Sequence, residues 1–378
     1  MTVKRVTRRI LSFLLSAAIL LSAGCNASPA TETSVTTAAI QEEADTSALS
    51  PDRADESIST DAPATEPTVS AEGSTGEGEA PSQNEEKAFY DGELNPAVWR
   101  VTDPESGNSM DLMGTIHLVP DSETVVPDYV MELYRAADGI AVEYDTTRLN
   151  ADLVLQLQYL SYFTLSDGTT IDDHLSPETL ERASEYLSAN GYDPAMFAGY
   201  NAAYWQSLVS NLALLSIPGI RASGVDVYFI ANAKKDGKEV RNIEALETQM
   251  NVLTMLGDEF YEWQIDEMLD ELDEEGGQAE IEEAFRLLYT SWATGDEALY
   301  AEAEEEDTEE MPEEFTAEYE AYTKALGPDR NVGMAEKAAE YIRNGDNLLF
   351  MVGFAHFCGE GSVLDNLREM GFTVEKIY

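Results

Sequence analysis

The stretch Leu348-Leu-Phe-Met-Val-Gly-Phe-Ala-His356 decides how this chain is read. An unbroken apolar run that ends in glycine predicts a strand over Leu348–Gly353. Helical spacing over Val332–Arg343 precedes it. After it, a Gly-rich turn leads into a predicted helix over Ser362–Met370 and a strand over Phe372–Ile377. The chain therefore closes with a β-α-β rhythm, which belongs to folds that layer helices on a sheet.

The same rhythm opens the region. Val98-Trp-Arg-Val-Thr102 and Met110-Asp-Leu-Met-Gly114 flank Asp103-Pro-Glu-Ser-Gly-Asn-Ser109, a strand, turn and strand. Beyond Pro127, apolar residues at Val130, Leu133, Tyr134 and Ala137 follow helical spacing, and Gly139-Ile-Ala-Val-Glu-Tyr144 reads as a buried strand. Helices are expected over Ala151–Phe163, over Pro177–Ala189 behind Ser176 as N-cap, over Pro194–Leu215 and over Val225–Lys235. Gly237 stops the last of these before a short strand, Glu239–Ile243. Residues from about 248 to 326 are helix-forming and dense in Glu and Asp. That charge reads as a solvated face, because no Asp-x-Asp-x-Asp-Gly calcium loop is present. The expectation is an α/β fold: a central mixed sheet flanked by helices, with an acidic helical insertion.

Three histidines occur in the chain, and two share a setting. Gly114-Thr-Ile-His117 and Gly353-Phe-Ala-His356 each end a predicted strand. Histidine suits proton transfer near neutral pH and metal ligation, and strand carboxyl ends form the ligand crevice of open α/β sheets. Glu143, inside an apolar strand, must be paired, hydrogen-bonded or metal-bound; an ion pair with Arg330 is one way to meet that need. Asp226 and Tyr228 open one helix, and Arg330-Asn331 precedes another. Capping and packing explain these four, with a role behind the site or in substrate binding left open. Glu244, at a strand end, has a stronger claim to face the crevice. His174 in Asp172-Asp-His reads as a solvated turn, and Cys358 as a small buried apolar residue. No G-x-S-x-G elbow, Walker loop or dinucleotide loop occurs, so serine hydrolase, NTPase and NAD-enzyme readings have no support.

The chain's 378 residues carry 22 Lys and Arg against 73 Asp and Glu, a formal charge of −51. Affinity for phosphate rests on Lys and Arg clusters that are missing here, so no nucleic-acid partner is expected. Two cysteines exclude a disulfide framework. Lys4, Arg5, Arg8 and Arg9 precede the apolar run Ile10–Leu21 and then Ser22-Ala-Gly-Cys25, so residues 1–24 read as a secretory signal peptide. Its end resembles a bacterial lipobox, with Leu21 one place further upstream than usual. The expectation is a lipid anchor at Cys25, an extracytoplasmic location and membrane contact through that anchor only. Residues 25–89, rich in Thr, Ser, Ala, Glu, Asp and Pro, cannot bury enough surface to offset their ordering entropy, and they read as a disordered acidic linker. The folded region is then 90–378.

Seven pieces recur in a specific order: Leu112-Met-Gly-Thr-Ile-His117; Ala141-Val-Glu143; Gly224-Val-Asp-Val-Tyr-Phe229; Ile243-Glu244 with Gln249; Trp292-Ala-Thr-Gly-Asp296; Asp329-Arg-Asn331; and Val352-Gly-Phe-Ala-His356 followed by Gly359. On these the chain from about Ala97 to Tyr378 resembles the TraB/GumN family, which includes the eukaryotic Tiki proteins and is distantly similar to erythromycin esterases and the ChaN haem-binding proteins. It departs in Phe354, where a small residue is common, and in Cys358, where an aliphatic one is. The resemblance implies an active site of His117, His356 and Glu143, with Tiki members acting as manganese- or cobalt-dependent proteases.

The expected function is a surface-anchored, metal-dependent hydrolase, first of all a peptidase. His117, Glu143 and His356 would hold a divalent manganese, cobalt, iron or zinc ion. Gly114, Gly353, Asp226, Tyr228, Glu244, Arg330 and Asn331 would stand behind them or against a peptide or small-molecule substrate. A metal-free relative uses one histidine as general base. The alternative is a non-catalytic lipoprotein that captures a peptide or small molecule in the same crevice. A purely structural surface protein leaves the repeated G-x-x-H unexplained.

Overall fold

A computed structural model describes residues 89–120, 126–149, 151–221, 223–304 and 311–378. The signal peptide, Cys25 and nearly all of the acidic linker lie outside the described residues. No helix among the described residues is long and apolar enough to cross a membrane.

A six-stranded mixed sheet organises the body. Its strands are β1 (Val98–Thr102), β2 (Ser109–Thr115), β4 (Gly139–Val142), β6 (Glu239–Asn242), β7 (Leu348–Gly353) and β8 (Thr373–Lys376), in the spatial order β6-β4-β7-β2-β1-β8. A two-stranded ribbon pairs β3 (Val119–Pro120) with β5 (Ile220–Arg221). β6, β4, β7 and β2 run parallel, with Val142 opposite both Asn242 and Met351, and Thr115 opposite Gly353. Their carboxyl ends therefore finish along one edge, β6 and β4 two residues short of β7 and β2. β1 is antiparallel to both β2 and β8. The closing β-α-β rhythm is thus not a parallel crossover, since β8 pairs with β1 and not with β7.

The two central strands show why the apolar runs were readable. All of β4 is buried, and so is β7 up to Gly353, as strands covered on both faces require. The covering helices are α1 (Asp128–Ala136), α2 (Leu153–Ser161), α3 (Pro177–Ala189), α4 (Ala202–Leu215), α5 (Val225–Asp236), α6 (Leu246–Leu253), α7 (Asp258–Asp273), α8 (Gly277–Thr294), α9 (Glu297–Glu304), α10 (Thr316–Leu326), α11 (Pro328–Asn344) and α12 (Val363–Glu369). α4 is buried almost all round and packs against α7. The aromatic and Met residues of the acidic segment are core: Phe260, Ile265, Met268 and Leu269 are buried. Glu259, Asp270 and Asp273 of α7 are exposed, and Arg182 gathers Asp266, Asp270 and Asp273 at 3.4, 2.6 and 3.2 Å.

Several expected boundaries move. The continuous helix over Pro194–Leu215 is a 3-10 turn at Pro194–Phe197 followed by α4, whose N-cap Asn201 accepts from the Tyr204 N–H and starts a fresh helix. Glu143 falls one residue past β4. α11 begins at Pro328, so Arg330 and Asn331 lie in its first turn and do not precede it. Pro at a first helical position is favoured because its missing N–H has no partner there anyway.

Close approach decides one glycine. Gly224 precedes α5, and the Val225 N–H donates to the Ile116 carbonyl at 2.9 Å. A Cβ at 224 would stand 2.5 Å from both the His117 Cα and the Ile116 carbonyl oxygen, so no larger residue fits without moving backbone. Gly333, inside α11, has nothing within 4 Å of such a Cβ. Urea unfolding followed by circular dichroism is expected to show Gly224→Ala destabilised by about 1–3 kcal/mol through overpacking. Gly333→Ala should be stabilised by about 0.5–1 kcal/mol through helix propensity.

Candidate active site

Each strand of the parallel set delivers one polar residue just beyond its end: Glu244 after β6, Glu143 after β4, His356 after β7 and His117 after β2. Strand ends gathered along one edge bring Glu143, Glu244 and His356 around Arg330, while His117 faces the α5 N-terminus.

Arg330 is the hub. Its side chain is 4% exposed, and its Nη2 donates to Glu143 Oε2 at 2.8 Å and to Glu244 Oε2 at 2.7 Å. Its Nε donates to Glu244 Oε1 at 3.0 Å. Gln249 Nε2 lies 3.5 Å from both Glu143 Oε2 and Glu244 Oε2. Glu143 Oε1 accepts the Gly353 N–H at 2.6 Å. Burial opposes the Glu143 charge, but His356 once it is protonated, the Arg330 guanidinium and the Gly353 N–H hold its carboxyl well below the usual carboxylate range. Burial pushes Glu244 upward against the pull of the same guanidinium. Of two carboxylates sharing one cation, Glu143 is the one kept firmly ionised.

His356 and His117 are oriented alike and charged differently. Asn331 Nδ2 donates to the Gly361 carbonyl at 3.0 Å, so its Oδ1 is the atom turned to His356 Nδ1 at 2.7 Å. That acceptor places the His356 hydrogen on Nδ1 and leaves the Nε2 lone pair 3.8 Å from Glu143 Oε1. Burial, helped by Arg330 and His117 against the pull of Glu143, lowers His356 to about 4, so it is neutral at pH 7. His117 Nδ1 pairs with Asp226 Oδ2 at 3.2 Å. Burial opposes its charge, yet Asp226 and Glu143 raise it to about 9, so it is an imidazolium at pH 7.

The remaining expected residues divide. The Gly114 carbonyl accepts Trp292 Nε1–H at 3.0 Å, and the Phe354 ring covers Gly114 where a Cβ would collide at 2.7 Å. The bulky residue in the His356 motif is therefore accommodated by the glycine of the His117 motif. Cys358 is buried, its thiol 3.4 Å from the Phe354 carbonyl oxygen. Tyr228 does not join the site: its hydroxyl points to Met131 Sδ at 3.8 Å. His174 is not a solvated turn, because its Nδ1 meets Asp258 Oδ2 at 2.7 Å and its Nε2 meets Thr169 Oγ1 at 2.8 Å, tying the turn to α7. Asn331 and Asp226 do not cap their helices, whose N-caps are Gly327 and Gly224; each instead fixes one histidine. Thr146, in the turn after Glu143, lines the same recess with His117, Glu143 and Asp226, and no sequence signal singled it out.

The donor types suit a divalent ion, since both imidazoles have Nδ1 held by an oxygen partner. Their placement does not: Glu143 is committed to Arg330 and Gly353, and no three His, Cys, Asp or Glu side chains among the described residues converge on one point.

The model of the TraB/PrgY/gumN family matches residues 97–376. No curated protein matches the chain, and no solved structure does.

Removing Arg330 leaves two buried carboxylates without a cation, a change that costs about 3–5 kcal/mol in comparable sites. Arg330→Met should lose that much in urea unfolding at pH 7. The deficit should shrink as pH falls, because unpaired buried carboxyls titrate above their unfolded values and the destabilisation ends once they are protonated.

Proposed function

From the TraB/PrgY/gumN family, to which this chain belongs over residues 97–376, we propose a hydrolase whose two strand-end histidines work in opposite protonation states on a peptide or small-molecule carbonyl. The observation that carries this reading is a pair of strand-end imidazoles beside the buried Glu143 carboxylate, His356 held by the Asn331 amide and His117 by the Asp226 carboxylate, which favours a neutral ring in the first and a charged one in the second. Such a split assigns base and acid within one site.

His356 Nε2 takes a proton from the attacking water, and its Nδ1–H stays on Asn331 throughout. Glu143 Oε1 offsets the positive charge that forms on that ring, and Arg330 keeps Glu143 ionised for the task. His117, held by Asp226, presents its Nε2–H to the oxygen on which negative charge develops, or to the leaving group. Positioned acid–base groups of this kind contribute roughly 10²–10⁴-fold each. A manganese, cobalt, iron or zinc ion at His117, His356 and Glu143 would supply Lewis acidity and a more acidic water. The commitment of Glu143 to Arg330 argues against that arrangement here, so no step depends on it. On the sequence evidence we place the body outside the cytoplasm, tethered by lipid at Cys25.

The test is turnover of a fluorogenic peptide library and a panel of p-nitrophenyl esters by the purified chain, with and without chelator. His356→Ala and His117→Ala should each lower turnover by roughly 10²-fold or more with the circular dichroism spectrum unchanged. Wild-type turnover in His356→Ala would overturn the assignment. Hydrolysis that chelator abolishes and one added metal restores would replace the metal-free route.

The pH profile provides a second check. A base must be neutral and an acid charged, so kcat/KM should rise through about 4 as His356 loses its proton and fall through about 9 as His117 does. Asp226→Asn removes the charge that lifts His117, so the alkaline limb should move down toward the ordinary histidine value of about 6.5, leaving the acid limb in place.

A further inference from the structure

Behind His117, two buried oxygen atoms lack protein partners. Thr146 is 7% exposed and Asp226 9%. Among the described residues, Thr146 Oγ1 and Asp226 Oδ1 have no hydrogen-bond partner. Both residues line a cavity of about 20 Å³, together with His117, Glu143, Thr115 and Gln249. A buried water needs roughly 10–15 Å³ and two to four polar neighbours.

The frame around this cavity is stiff. Thr146 opens a 3-10 turn whose leading residue, Asp145, donates its N–H to Asn242 Oδ1 at 3.0 Å and pairs with Lys234 at 2.7 Å. Lys234 belongs to α5, the helix that carries Asp226 in its first turn. The two orphan oxygens therefore sit on elements tied to each other at a second point.

Their needs are complementary. A hydroxyl has a hydrogen to give, and a carboxylate oxygen can only accept. One water meets both, accepting from Thr146 and donating to Asp226. A cation has less to gain, because His117 already matches the Asp226 charge and Arg330 matches that of Glu143. We propose that this cavity binds a single water bridging Thr146 Oγ1 to Asp226 Oδ1, which makes Thr146 a positioning residue for the Asp226–His117 pair. With Oδ2 on His117 and Oδ1 on the water, the carboxylate is pinned at both ends and cannot rotate off the imidazole. The water site stands on its own; only its catalytic consequence rests on the hydrolase reading.

The test uses the full-length chain labelled with ¹⁵N-histidine, so its readout does not require turnover. In the wild type, the Thr146 methyl should show a nuclear Overhauser contact to a long-lived water. Thr146→Val, which keeps shape and removes the hydroxyl, should speed solvent exchange of the His117 Nδ1–H by roughly tenfold. Thr146→Ser should restore the slow exchange. No water contact in the wild type, or equal exchange in Thr146→Val and wild type, overturns the proposal. A saturable shift of the His117 resonance on titration with sodium, potassium, magnesium or calcium also overturns it, in favour of a cation. Where a hydrolysed substrate is in hand, Thr146→Val should lower kcat by roughly tenfold at unchanged KM, and Thr146→Ser should recover it.

Discussion

A guanidinium with almost no exposure to water must find its compensation inside the protein, and Arg330 finds it in two carboxylates from two different strands. Burying any one of these charges alone would cost several kcal/mol. Together they make three elements interdependent: the first turn of α11, the end of β4 and the end of β6. The Gly353 N–H on Glu143 adds β7 to the same knot. The knot exists because four parallel strands end along the same edge of the sheet, and that follows from their hydrogen-bond register. A shift of one residue in β4 would turn Glu143 to the other face of the sheet.

The charge of −51 bears little on this chemistry. Inside the site, charges are compensated locally: Glu143 and Glu244 share Arg330, and His117 pairs with Asp226. Among the described residues, exposed acid such as Glu259, Asp270 and Asp273 lies on the outer side of α7, whose inner face is Phe260, Ile265, Met268 and Leu269. Long-range repulsion among exposed carboxylates is screened within about 10 Å at 0.1 M salt, whereas the buried pairs are not. Net charge therefore describes how this protein meets its surroundings and leaves the mechanism to a few buried groups.

The parts of the fold that were legible in sequence are those where burial dictates composition. β7 and β4 are apolar throughout because both faces are covered, and α3 carries marks at its start in Ser176 and Pro177. The break at Asn201 was hidden, since apolar residues continue on either side and only a capping side chain separates a turn from a helix. The start of α11 was placed too late because its first apolar residue is Val332, although Gly327-Pro328 already signals a helix start. At the site, the repeated G-x-x-H and the lone carboxylate in an apolar run picked out His117, His356 and Glu143. Tyr228 was grouped with Asp226, but residues two apart on a helix point about 200° apart. His174 looked solvated because its partner Asp258 is 84 residues away. Thr146 carried no pattern at all, and only the packing of its turn against α5 brings it to Asp226.

The two G-x-x-H histidines make the sharpest point about what sequence motifs encode. They share residue type, spacing from glycine and position at the end of adjacent parallel strands, and both offer Nδ1 to an oxygen acceptor. What differs is the acceptor. Asp226 supplies a charge that favours imidazolium, whereas Asn331 supplies an amide of the same shape with no charge to offset burial. Arg330, close to His356, widens the gap by disfavouring a second cation beside it. A motif repeated to orient two rings thus yields two different protonation states, and the residues behind the histidines set which ring carries the charge.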